Sequence, residues 1–231
     1  MKRFYEEAAA EHLGKSWRVT LDGRTVKTPG ARDLLVPFEG LAIALADEWG
    51  AQMEEIDPAA MPLTRLANTA IDRTASLRES VIEEVAGYGA SDLLCYRVSD
   101  PAELVDRQSA NWDPLLDWVG KHFSANLSVT TDITPLEQDN EALLAIYSAV
   151  ARKNDFALTG LHATTGLCGS VVIGLALAET VLPAEKAWQC AILDEMYQAE
   201  QWGVDADAEQ RWKAMRDEIA AATLFMDLSR D

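Results

Sequence analysis

The sequence predicts an α+β protein, with a small mainly β N-terminal domain containing one helix over residues 1–57 and a larger all-helical domain over 58–231. Three observations carry this expectation. Trp17-Arg18-Val19-Thr20-Leu21 alternates apolar and polar residues, Asp22-Gly23 follows, and Arg24-Thr25-Val26-Lys27-Thr28 resumes the alternation. Asp-Gly between two such runs signals a hairpin, because a type I′ turn needs positive φ at both central positions. Beyond Phe38 the apolar period lengthens to three and four and stays helical through most of the chain. Asp57-Pro58 and Met61-Pro62 interrupt the pattern between the two regimes.

Element by element, Pro29-Gly30 ends the second strand, and Leu34-Leu35-Val36 makes a third that Pro37 stops. Leu41, Ala42, Leu45, Ala46 and Trp49 share one helix face, with Gly50 near its end. Leu63, Leu66, Ala67, Ala70 and Ile71 form the next stripe, and Leu77, Val81, Ile82 and Val85 another. Gly87 and Gly89 punctuate, and Leu93-Leu94-Cys95-Tyr96 is a short apolar run of open type. Asp100 is a candidate N-cap with Pro101 in the first helical position, and that helix is expected to bend at Asp113-Pro114. Leu127-Ser128-Val129-Thr130 reads as an isolated strand or an extended connector. Residues 139–153, 157–181, 184–203 and 206–226 supply the remaining helical patterns.

Composition narrows the function. With 48% hydrophobic residues over 231 positions the chain is globular, and at this size folding removes roughly 70% of the unfolded surface from water. There are 20 Lys+Arg against 38 Asp+Glu, a formal net charge of −18. So acidic a surface repels phosphate backbones, which argues against nucleic-acid and anionic-membrane partners. Residues 1–30 carry six bases and four acids, so the acidity belongs to the rest. Cys95, Cys168 and Cys190 are an odd count without metal-ligand spacing, which fits a reducing compartment and no metal. The first residues turn acidic too early for a transit peptide and lack a secretory apolar core, so a cytoplasmic chain is expected. Between Asp155 and Glu179 lie 23 uncharged residues, but polar and glycine positions crowd the first two thirds. A buried central helix accounts for this better than a membrane span.

Catalytic motifs are scarce. No P-loop, dinucleotide fingerprint, zinc-protease helix or nucleophile elbow occurs. Cys168 near His162 reads as a small apolar residue in a core helix and not as a nucleophile. The stretch 187–203 is the most informative. Treated as one helix, it puts Trp188, Ala191, Ile192, Ala199 and Trp202 on one side with Glu195 in their midst. A carboxylate there is buried and paired with a base such as Arg65, or protonated, or exposed on a surface used for contact. Trp188, Ile192, Glu195 and Trp202 then form a candidate partner-binding patch, while Asp194 and Glu200 point to solvent. Arg65, Asn68 and Asp72 make a polar stripe at helical spacing, and Trp112-Asp113-Pro114-Leu115-Leu116-Asp117-Trp118 is aromatic at both ends.

Five segments in chain order carry a family resemblance that covers nearly the full length, from about Arg3 to Arg211. They are Leu21-Asp22-Gly23-Arg24 through Lys27-Thr28-Pro29, Leu45-Ala46-Asp47-Glu48-Trp49, Met61-Pro62-Leu63-Thr64-Arg65-Leu66-Ala67-Asn68-Thr69-Ala70-Ile71-Asp72, Trp112-Asp113-Pro114-Leu115, and Leu193-Asp194-Glu195 to Trp202-Gly203. Together they resemble the assembly chaperones of the ATP synthase catalytic sector, the type that attends the alpha subunit, in a bacterial form. The resemblance implies a small β domain joined to a helical one, no catalytic activity and no cofactor. It also implies binding to the unassembled alpha subunit over the surface later used by beta. A monomer, without nucleic acid or membrane insertion, is the expected state of the chain on its own. Glu195, Trp188, Trp202, Ile192 and Arg65 are the expected contact residues. The alternative is a small-molecule enzyme using Glu195 with Arg65 or His162 in a cleft, motivated by a carboxylate on an apolar face.

Overall fold

The computed structural model describes residues 1–132 and 134–230. The chain has a small antiparallel sheet followed by helices, the α+β class read from the sequence. It separates into two compact units: Met1–Arg78 with Asn154–Gly160 and Leu224–Asp231, and Glu79–Lys153 with Leu161–Thr223. The division expected after residue 57 falls inside the first, because helical residues up to Arg78 and two later segments pack with the sheet.

In the first unit, β1 (Ala8–Leu13), β2 (Ser16–Leu21), β3 (Arg24–Thr25) and β4 (Leu35–Val36) form one sheet. β2 is central and pairs antiparallel with the other three, with Ala10 opposite Val19, Leu21 opposite Arg24 and Trp17 opposite Val36. The expected hairpin forms, and Asp22 and Gly23 have φ of 49° and 75°, the left-handed pair a type I′ turn requires. β1 had no counterpart in the sequence reading, since its run of three alanines lacks the β-branched and aromatic residues that mark strands. Helix α1 (Glu39–Gly50) lays Leu41, Ala42, Leu45 and Ala46 on the core formed with Val19, Leu21, Leu34 and Val36.

Carboxylates tie this unit together. Glu48 accepts the backbone N–H of Leu63 and of Thr64, both at 2.7 Å, at the start of α2 (Pro62–Thr69). Those are among the first-turn groups that have no partner within the helix. Asp72, on a π-helical turn over Ala70–Thr74, accepts Thr28 Oγ1 and Gly30 N–H, each at 2.7 Å. Its register therefore serves the segment after β3 and not a stripe along its own helix. Asp22 accepts the N–H of Glu6 at 3.1 Å and of Glu7 at 2.9 Å. Phe156, near the start of α6 (Asp155–Cys168), packs edge-on to Phe38 and lies beside Phe225.

The second unit is built of α3 (Arg78–Gly87), α4 (Ala102–Phe123), α5 (Asn140–Ala151), most of α6, α7 (Val171–Ala178), α8 (Ala184–Ala191), α9 (Leu193–Trp202) and most of α10 (Ala206–Asp227). α4 continues through Pro114 as one helix, and Pro101, not Asp100, precedes its first residue as the cap. The long uncharged segment is two helices, α6 and α7, separated at Gly169 and Ser170. All eight residues of α7 are buried. Gly174 lets it lie against α6: an added Cβ would stand 2.5 Å from Thr165 Oγ1 and 2.9 Å from Leu161 Cδ1. No helix among the described residues is long and apolar enough to cross a membrane.

The start of α7 is held by a fully buried carboxylate. Asp92 accepts the N–H of Leu94 at 3.0 Å and of Val172 at 3.1 Å, and Ser170 caps Ile173. Burial pushes the Asp92 pKa up to about 6, against the lowering effect of its hydrogen bonds from Ser170 and the backbone.

Two outcomes are expected. Glu48→Ala leaves two N–H groups of α2 without their acceptor and lowers stability by about 2–4 kcal/mol in urea denaturation, with the slope unchanged. For Asp92, folding raises the pKa, so the native state holds the proton more tightly than the unfolded chain. That contribution is complete below about pH 4 and is lost as the pH climbs through about 6. The stability of the wild type relative to Asp92→Asn therefore falls by up to about 3 kcal/mol over that window. Denaturation curves at pH 4, 5, 6 and 7 measure it, and a flat or rising difference contradicts it.

Candidate interaction surface

Residues 184–203 are not one helix. The chain leaves helical geometry at Ile192 (φ −110°, ψ 21°), and α9 restarts in a new register. The single apolar side drawn through Trp188, Ile192, Glu195 and Trp202 therefore does not exist. Ile192 is 3% exposed and packs in the core, so it offers nothing to a partner. Trp188 is half-buried, Glu195 is exposed, and Trp202 is 80% exposed at the end of α9.

Glu195 is neither buried nor paired with a base as the burial alternative required. Its Oε2 accepts the indole N–H of Trp212 at 2.7 Å. One turn further along α10, Arg216 Nε donates to Glu185 Oε2 at 2.6 Å and its guanidinium lies 5.4 Å from the Trp188 ring centroid. Trp212 and Arg216, four residues apart, thus share a face of α10 and fasten α9 and α8 to it. The surface that results is made of Trp188, Glu195, Trp212 and Arg216, with Trp202 standing free at the end of α9.

Behind this surface α4 anchors both short helices. Gln108 donates to Asp194 Oδ1 at 2.9 Å, Trp112 Nε1 to the Cys190 carbonyl at 3.0 Å, and Arg107 pairs with Glu200 at 2.7 Å. Asp194, expected in solvent, is a half-buried tie to α4, whereas Glu200 is exposed as expected and adds a surface ion pair with Arg107. Trp112 is 1% exposed, which makes its motif core packing. Trp212 and Arg216 were missed by the sequence reading. Their spacing on a helix was visible, but the elements opposite them were not.

Arg65 lies exposed on α2 of the first unit. His162 stands 3.2 Å from Glu84. Cys168 is buried and free, and burial pushes its thiol up to about 12, so it stays protonated at neutral pH and is no nucleophile. Among the described residues no group of three His, Cys, Asp or Glu side chains could hold a metal ion. The arrangement offers exposed aromatic area beside a carboxylate on a rigid three-helix support, which is the chemistry of contact between polypeptides.

Comparison with known proteins agrees in kind. The model of the ATP12 chaperone protein family matches residues 2–120, just over half the chain. Protein atp12, mitochondrial, of Schizosaccharomyces pombe is 24% identical over 221 residues, covering 90% of this chain and 76% of that one. The crystal structure of Atp12 from Paracoccus denitrificans matches with a TM-score of 0.95 and 39% identity over 99% of this chain and 98% of that one. A putative chaperone from Agrobacterium tumefaciens gives 0.94 and 39%, over 99% of this chain and 86% of that one. With a family match over half its length and a relative near two-fifths identical along nearly all of it, the chain belongs to the ATP12 chaperone family.

Proposed function

We propose that this chain is an assembly chaperone of the ATP synthase catalytic sector, and that it binds the unassembled alpha subunit and shields the surface later taken by beta. Its work is binding and not catalysis. The observation that carries the reading is Trp202, 80% exposed on a helix whose base is fixed by Asp194–Gln108 and Glu200–Arg107 contacts. A large aromatic held in water on a rigid support costs little entropy to immobilise against a partner. Glu195 and Trp188 flank the same set of helices, and Arg65 is a further contact residue on the first unit. The enzymatic alternative relied on a buried carboxylate at Glu195, and that carboxylate is exposed.

The charge supports a holdase. An unassembled subunit exposes apolar interface area that drives misassociation. A chaperone of net charge −18 confers like-charge repulsion on its complexes and keeps them apart. The contact is then modest in size and partly polar, strong enough to protect and weak enough for beta to displace. This role places the chain in the cytoplasm of a bacterium, and its eukaryotic relatives in the mitochondrial matrix.

Capture of purified alpha subunit, read beside thermal melting, tests the proposal. Trp202→Ala leaves the melting temperature within about 1 °C, since the side chain packs on little, and weakens capture about tenfold. Glu195→Lys reverses the charge and removes the acceptor of Trp212, so capture falls at least as far while the helical circular dichroism persists. Wild-type capture by both variants, with melting unchanged, removes this patch from the interface.

A further inference from the structure

A second surface lies in the helical unit and includes none of the contact residues named above. A groove of about 570 Å³ runs between α3 and α5, lined by Glu83, Ala86, Gly87, Ala90, Asn140, Leu143, Leu144 and Tyr147. Its floor is made of small residues: Ala86, Gly87 and Ala90. Leu144 forms part of the wall, is 64% exposed, and stands beside Leu143 over the same groove. Gly87 has ordinary helical geometry (φ −58°, ψ −28°), and a Cβ built on it meets nothing within 4 Å. The floor is therefore open because the groove is vacant above it, not because a neighbour needs the space.

The rim carries one sign of charge. Glu83 lines the groove, and Glu79, one turn before it on α3, accepts the Tyr147 hydroxyl. That hydrogen bond, desolvation and the charges of Glu79 and Glu83 together raise the Tyr147 pKa, which places both carboxylates beside the groove. Glu141 adds a further exposed acid in the first turn of α5. Among the described residues no Lys or Arg lines the groove.

We propose that this groove is a docking site for a basic amphipathic helix of a partner protein, its apolar side chains seated over Ala86, Gly87 and Ala90 against Leu143 and Leu144 and its cations facing Glu79, Glu83 and Glu141. Two helices with a floor of small residues between them accept a third helix at close range. The acidic rim selects a cationic one. A second copy of this chain is disfavoured as occupant, because each copy brings a net charge of −18. The site stands whether or not the α9–α10 surface holds the alpha subunit.

The test uses the full chain and a fluorescein-labelled designed helix of about 15–18 residues with leucines on one face and lysines on the other. A second peptide with the same apolar face and glutamates in place of lysines is the control. Fluorescence anisotropy is expected to show the lysine peptide binding at least about tenfold more tightly than the glutamate peptide, with affinity falling as salt is added. Gly87→Trp fills the groove, and Glu83→Lys reverses its rim. Each is expected to weaken the lysine peptide about tenfold or more while circular dichroism and melting stay wild-type. Trp202→Ala is expected to leave this peptide's binding unchanged, which separates failure here from failure of the alpha-subunit reading. Equal binding of the two peptides, or wild-type affinity in Gly87→Trp, overturns the proposal. So does sedimentation showing that the wild type self-associates and Gly87→Trp does not, since the occupant would then be a second copy.

Discussion

A helix that begins inside a folded unit has N–H groups in its first turn with no water to bond, and a structure in which they stay orphaned does not hold together. This chain meets that constraint with carboxylates. Glu48 takes the first N–H groups of α2, and Asp92 takes the start of the buried α7. On exposed backbone, where no helix begins, Asp72 and Asp22 make ties of the same kind to the turn after β3 and to the segment leading into β1. In each case one side chain joins elements distant in sequence, so the cap is also a tertiary restraint. A carboxylate accepts two N–H groups at once, which a serine or threonine hydroxyl does less readily. Within the helical unit the same logic holds α9, which is tied to α4 by Gln108 on Asp194 and Arg107 on Glu200.

The acidity of the chain thereby divides into two kinds. A few acids are fixed by backbone donors or, as Asp194 is, by Gln108, and they set geometry. The larger number are exposed and set solubility. Charge composition alone cannot separate them, since a capping aspartate and a solvated one contribute equally to the total of −18. Asp72 and Asp194 were both read as surface residues for this reason.

Much of the fold was legible where local chemistry is decisive. The Asp22-Gly23 turn, the α1 face and the buried, glycine-spaced α7 follow from patterns within a few residues. β1 was not legible, because alanines carry no strand signal and the strand forms only because β2 offers an edge to pair. The break at Ile192 was hidden for a related reason: its flanking residues keep a helical period, and what turns the chain there is the anchoring of α8 and α9 to α4 through Trp112 and Gln108. Of the candidate site, Glu195, Trp188 and Trp202 were legible as an aromatic and acidic cluster. Their true partners, Trp212 and Arg216, lie on another helix and were not. Ile192 passed from the expected surface to the core through that same break.

The central claim is that an exposed aromatic and acidic surface on α9 and α10 receives the alpha subunit. Hydrogen–deuterium exchange on this chain, alone and mixed with purified unassembled alpha subunit, tests it most directly. Slowed exchange is expected between Glu195 and Trp212, including the loop after Trp202, with the sheet of the first unit little changed away from Arg65. Complex formation with no protection in that stretch, or no complex at all, would contradict it.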